Sequence, residues 1–151
     1  NGEPRLMAIS IQLVFDTLDP DAQARFWAAA LGYMLQPPPE GFASWEDFLH
    51  AQGVPEETWN DASAIVDPDG AGPRIYFQRV PEGKVAKNRM HLDLNVPGGG
   101  TVPLEERKRR VDGEVARLKA FGATDERGAM EKDGEYWVRM NDPEGNEFCV
   151  Q

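Results

Sequence analysis

Three side chains of this chain are of types that could do chemistry: the pair His91 and Asp93, and separately Cys149. His91 is one of two histidines, and an imidazole that titrates near neutrality can serve as general acid or base, or donate to a bound carbonyl. Asp93 lies two positions on, so on a strand both side chains share a face and offer a metal one nitrogen and one oxygen. The plainer role for Asp93 is to accept a hydrogen bond from Arg89 or an amide. Cys149 is the only cysteine. With no cation or helix N-terminus visible beside it, it reads as a small buried apolar residue rather than a nucleophile. His50 sits between Trp45, Phe48 and Trp59 in one long segment and reads as a loop-packing histidine. Those aromatics could close over a cleft and stack on a flat ligand, while Trp27 reads as core.

The elements that must hold these groups follow from periodicity. Ile9, Ile11, Leu13 and Phe15 alternate with Ser10, Gln12, Val14 and Asp16, which predicts a strand. Asp19-Pro20 caps and opens a helix that Gly32 ends. Tyr33–Leu35, Ser63–Val66 and Arg74–Val80 are then three strands. The second half repeats this order. A strand over Met90–Asn95 is followed by a helix opened by Pro103, with Leu104, Val111, Val115 and Leu118 on its apolar face. Strands near Ala123–Met130, Tyr136–Met140 and Glu147–Gln151 follow. Asp67-Pro68-Asp69-Gly70 and Asp142-Pro143-Glu144-Gly145 occupy corresponding turns. The expected class is α+β, built from two tandem βαβββ modules with mostly antiparallel strands. Residues 1–7 read as an N-terminal extension or expression remnant, and 8–151 as one domain. Module one spans 8–80, a joint 81–88, and module two 89–151. Residues 36–60 are an unmatched insertion, with a short helix around Trp45–Gln52.

Composition narrows the function classes. At 151 residues and 40% hydrophobic content the chain can bury a substantial core. A net charge of −10 argues against a nucleic-acid partner, whose phosphates would be repelled. Arg107-Lys108-Arg109-Arg110 is flanked by acids and reads as a solvated helix face. No apolar run is long enough to cross a bilayer, so no membrane partner is expected. A single cysteine rules out an intrachain disulfide and suggests the cytoplasm.

Phe26-Trp27 with Leu31-Gly32-Tyr33, then Lys87-Asn88-Arg89-Met90-His91-Leu92-Asp93-Leu94, then Asp142-Pro143-Glu144-Gly145-Asn146-Glu147-Phe148 resemble the vicinal oxygen chelate superfamily, in particular its glyoxalase-like proteins. The resemblance implies that the modules cup their sheets around a central cleft, and that homodimers can form. It also implies four metal-ligand positions, which carry over to Gln12, Gln78, His91 and Cys149. A glyoxalase-type site would have two carboxylates in that set. This one offers amides, an imidazole and a thiol, so Mg²⁺-like ions should bind poorly and zinc would lack a third strong ligand. The implied function is small-molecule binding without a tightly bound metal. An apolar or aromatic metabolite or antibiotic would lie near Gln12, Gln78, His91, Asp93, Cys149 and Trp45, with no cofactor. The alternative is a lyase, isomerase or dioxygenase-type enzyme using His91 as acid/base or as ligand to a divalent metal.

Overall fold

The computed structural model describes Gly2 and residues 7–151, so the expected extension over 1–7 falls mostly outside the described residues. Module one comprises β1 (Leu13–Thr17), α1 (Pro20–Leu31), β2 (Met34–Leu35), α2 (Trp45–Ala51), β3 (Ala62–Val66) and β4 (Ile75–Arg79). Module two comprises β5 (Asp93–Leu94), α3 (Leu104–Ala120), β6 (Ala129–Lys132), β7 (Glu135–Asn141) and β8 (Glu147–Val150). Each forms a four-stranded sheet, in the orders β1-β4-β3-β2 and β5-β8-β7-β6. In each, the first strand pairs parallel with the last and the remaining pairs are antiparallel. The α+β tandem-module architecture is therefore as the periodicity predicts.

Local signals explain most boundaries. Asp19 accepts from Ala22 N at 3.2 Å, Pro20 takes the first helical position, and Gly32 closes α1 at φ 70° in the left-handed region. The 3₁₀ turn at Glu56–Asp61 was not expected; it packs against both α1 and α2. Three strands differ from expectation, and the one expected over Met90–Asn95 is reduced to Asp93–Leu94. The first begins at Leu13, not Ile9, because in its register Ile11 would face Pro73, which has no N–H to donate, and Ile9 would fall beside the turn. The strand expected over Ala123–Met130 is reduced to a single bridge, Thr124 to Asn141, with β6 beginning only at Ala129. A local reason is the hairpin turn Asp133-Gly134, both at positive φ (52° and 80°), which sets Lys132 opposite Glu135 and so fixes the β6–β7 register.

One apolar core runs through both modules. Phe26, Trp27, Ile65, Ile75 and Phe77 of module one join Val111, Leu118, Val138, Met140, Phe148 and Val150 of module two. Trp27 and Phe148 meet edge to face at 5.1 Å between centroids. Polar contacts reinforce that seam. Asp142, 3% exposed, accepts from Gln23 Nε2 at 2.8 Å and from Trp27 Nε1 at 3.0 Å. Glu144 accepts from Leu18 N and Asp19 N ahead of α1, at 2.7 and 3.1 Å. At the other end of α1, Arg117 donates to the carbonyls of Ala29 and Ala30 at 2.8 and 2.9 Å, where a cation also suits the helix dipole.

The inward rows of each sheet are thus spent on the core, and strand alternation leaves the other rows facing outward. In module two the outward rows are Trp137, Arg139 and Asn141 on β7, and Glu147 and Cys149 on β8. The basic run on α3 is only in part the expected solvated face, because the Arg107 side chain is 14% exposed and donates to Gly134 O at 2.9 Å. Lys108 pairs with Glu131 at 2.8 Å, and Arg109 and Arg110 both pair with Glu106.

Candidate functional site

Asp93 opens the short β5, His91 lies just ahead of it, and Cys149 on β8 is the direct partner of Asp93 in the parallel ladder. That register, with the alternation of β5, puts all three side chains on the outward face. Their ligand atoms lie within 4.8 Å of one another, and His91 Nε2 is 3.1 Å from Asp93 Oδ1. The partner of Asp93 is therefore His91, not the expected Arg89. The thiol of Cys149 is held above its ordinary pKa by burial first and by the neighbouring Asp93 carboxylate. Arg139 and Lys87 oppose that shift without cancelling it. Cys149 is half-buried and faces outward, so its packing is less enclosed than the sequence suggests.

Module one places Gln12 just before β1, where its Oε1 accepts from Arg74 Nη1 at 3.0 Å. The same guanidinium donates through Nε to Gln36 Oε1 at 2.6 Å and lies over the Tyr76 ring. Gln78 Nε2 donates to Asp16 Oδ1 at 2.7 Å. Module two has a matching bond, from Gln151 Nε2 to Asn95 Oδ1 at 2.9 Å. The match corrects one correspondence. With Gln12 aligned to His91, Asp16 answers to Asn95 and Gln78 to Gln151. Val14 then pairs with Tyr76 as Asp93 pairs with Cys149, so Tyr76 is the module-one counterpart of Cys149. The interval from Asp67 to Tyr76 is longer than that from Asp142 to Cys149, so the turns alone do not fix this position.

The structure therefore brings His91, Asp93 and Cys149 together but leaves Gln12 and Gln78 on the other sheet. Among the described residues, no hydrogen bond or ion pair joins those two glutamines to the triad. Trp45 stays within its own insertion as well. Its indole N–H donates to Gln36 O at 2.6 Å and its ring packs on Phe48, so α2 does not close over His91. Trp59 is likewise tied locally, to Val54 O at 2.9 Å, and His50 is exposed.

A four-cornered glyoxalase-type ion does not fit these residues. The corners Gln12, Tyr76, His91 and Cys149 contain no carboxylate, and a guanidinium already occupies the oxygen of Gln12. On the module-one side a cation would meet the Arg74 guanidinium, and the carboxylate beside the other two corners, Asp93, is already engaged by His91.

Sequence reading missed the carboxylate that anchors the joint between modules. Glu147 accepts from Asn88 N at 3.0 Å and pairs with Lys84 at 3.0 Å. Burial opposes its ionisation, but those donors prevail and hold its pKa at about 2. Because the folded value is depressed, the stability it contributes is fully present above the ordinary carboxylate range and is lost as pH falls toward about 2. Glu147→Gln should therefore destabilise the protein at neutral pH and flatten the acid limb of its stability curve between about pH 4.5 and 2. Urea midpoints measured across that range check it, and parallel curves for the two proteins would refute it.

The comparisons with known proteins agree with the fold. The sequence pattern of the Glyoxalase-like domain family matches residues 12–151. No curated protein sequence matches the chain. Among solved structures, a glyoxalase/bleomycin resistance protein/dioxygenase family enzyme from Burkholderia phytofirmans PsJN is similar at 16% identity and TM-score 0.60, covering 92% of this chain and 94% of that one. A genomically encoded fosfomycin resistance protein from Listeria monocytogenes, complexed with Mn(II) and a dihydroxypropylphosphonic acid, is similar at 14% identity and TM-score 0.58, with 97% and 90% covered. A bleomycin-binding protein from Streptomyces verticillus, complexed with copper(II)-bleomycin, is similar at 17% identity and TM-score 0.51, with 97% and 98% covered. At such identities the structures establish the fold alone. Among the described residues no helix is long and apolar enough to cross a membrane. The match over residues 12–151, together with the paired βαβββ modules, shows that this chain belongs to the glyoxalase-like domain family.

Proposed function

We propose that this chain is a small-molecule-binding protein of the glyoxalase-like family, holding an apolar or aromatic compound against the outward faces of its sheets without a tightly bound metal. The observation that supports this reading is Arg74 on Gln12: a guanidinium donates to the oxygen that the family resemblance would offer to a metal. The lack of carboxylates at the four corners points the same way. Relatives of this fold include a protein whose complex holds copper(II)-bleomycin and one whose complex holds a phosphonic acid. Binding of a small organic ligand is therefore a role this scaffold supports.

A second reading is favoured by one specific observation, the close approach of His91, Asp93 and Cys149. Those three residues would hold a zinc-type ion, which as a Lewis acid would polarise a carbonyl, making the chain a lyase, isomerase or dioxygenase-type enzyme. Against it stands the thiol, which must lose its proton to ligate while burial and Asp93 hold the proton on. Elemental analysis of the purified protein separates the two. We expect far less than one metal per chain and ligand affinity unchanged by chelator. A stoichiometric transition metal, lost together with an activity in His91→Ala, would replace the binding reading with the enzymatic one.

A further inference from the structure

A groove of about 340 Å³ opens on the outward face of module two, between the joint, the β7–β8 face and the loop before β6. Its charge is of the opposite sign to that of the molecule. In a chain of net charge −10, the groove is lined by Lys84, Lys87, Arg127 and Arg139. Three carboxylates share the lining, and two of them are already engaged. Glu147 is paired with Lys84 and also accepts from Asn88 N, while Glu144 keeps its charge but is turned to the backbone N–H groups ahead of α1. Lys87, Arg127 and Arg139 then face Glu126 and Glu144, which leaves the lining net positive. Among the described residues none of those three cations has a carboxylate within 4 Å.

Cations left unpaired around a concavity, when 26 acidic residues were available to pair them, form an electrostatic funnel for an anion. Arg139 ties the groove to the candidate site, because it is the direct ladder partner of Cys149. Trp137 lies two residues from Arg139 on the same outward row, and Met130, 46% exposed, is the ladder partner of Trp137. The face thus runs from an apolar platform at Trp137 and Met130 to a cationic end at Arg139, Arg127 and Lys87.

We infer that this groove binds the anionic group of a small organic acid, with the apolar or aromatic body of that acid against Trp137 and Met130. The inference rests on the small-molecule reading and narrows its ligand class. A planar guanidinium pairs well with carboxylate or phosphate, so the chemistry specified is a monoanionic or dianionic oxyacid group.

The test is calorimetric titration of the full chain at low salt with benzoate, with inorganic phosphate and with benzamide as the neutral isostere of benzoate. Benzoate should bind at least tenfold more tightly than benzamide, and phosphate should compete with it. Arg127→Gln combined with Arg139→Gln should weaken benzoate at least tenfold. Arg109→Gln, on the α3 face of the same sheet, should leave it unchanged. Both arginines are outward-facing, and a circular dichroism melt confirms that the double variant folds. Equal affinity for benzoate and benzamide would overturn the anion assignment while leaving the small-molecule reading intact. Full benzoate affinity in the double variant would overturn the location. Absence of binding by both anions would overturn the inference outright, whereas the broader reading is decided by its own metal and ligand measurements.

Discussion

Asp142→Ala should cost this fold about 3–5 kcal/mol and lower its melting temperature by roughly 10–15 °C. One carboxylate there satisfies two sets of donors. Its Oδ2 accepts from Gln23 Nε2 and Trp27 Nε1 at 2.8 and 3.0 Å, and from Asn146 Nδ2 at 2.9 Å. Its Oδ1 accepts from the backbone N–H groups of Glu144 and Asn146, each at 2.9 Å. Removing the carboxylate strands the buried donors on α1 and loosens the turn that carries Glu144. Asp142→Asn keeps one acceptor oxygen but turns an amide donor toward other donors, so an intermediate loss is expected. The twin residue Asp67 supplies the control. It accepts only within its own loop, from Asp69 N and Gly72 N at 2.9 and 2.7 Å, and Asp67→Ala should be the milder change. Urea unfolding of the three variants decides the matter. Equal losses at positions 67 and 142 would show that Asp142 acts as a turn residue only.

The other large effect belongs to Phe148. It is 1% exposed, lies between Phe26 and Trp27, and is the main aromatic contact of β8 with α1. Phe148→Ala should cost about 3–5 kcal/mol, from lost burial plus the cavity left at a seam where two modules meet. Phe148→Leu, which refills most of that volume, should cost about 1–1.5 kcal/mol. Phe148 and Asp142 both touch Trp27, so the double alanine variant should lose less than the sum of the singles. Strict additivity would mean that the apolar and polar halves of the seam are independent. Phe148 also precedes Cys149, so its removal should weaken any ligand held on the outward face in the variant that still folds.

These two residues also mark how far the sequence could be read. Their motif, Asp142-Pro143-Glu144-Gly145 followed by Phe148, was visible as a turn and a strand. Its partners were not, because Gln23 and Trp27 are more than a hundred residues away and nothing in their spacing marks them as donors to Asp142. Sequence separation, though shorter, also hid Arg74 on Gln12 and the gathering of Lys87, Arg127 and Arg139. One part of that gathering was legible in principle: alternation from the buried Val138 and Met140 puts Arg139 on the outward face with Trp137. The Asp133-Gly134 hairpin was likewise a local signal, and the expected strand over Ala123–Met130 left it unused.

By itself the sequence determined the repeated βαβββ order, the helix caps and the outward-facing pair His91 and Asp93. Each of these depends on neighbours a few residues apart, where alternation, capping and turn chemistry act directly. Only the tertiary structure decided which distant groups meet. It set the ladder register that joins Asp93 to Cys149 and replaces Gln78 by Tyr76, and it placed the guanidinium on Gln12. Register depends on loop length and on core packing across two modules, and the longer first loop shifts it by two residues without leaving any local trace. Such a shift preserves the face but changes the chemistry presented there, which is why scaffold and site separate in this protein.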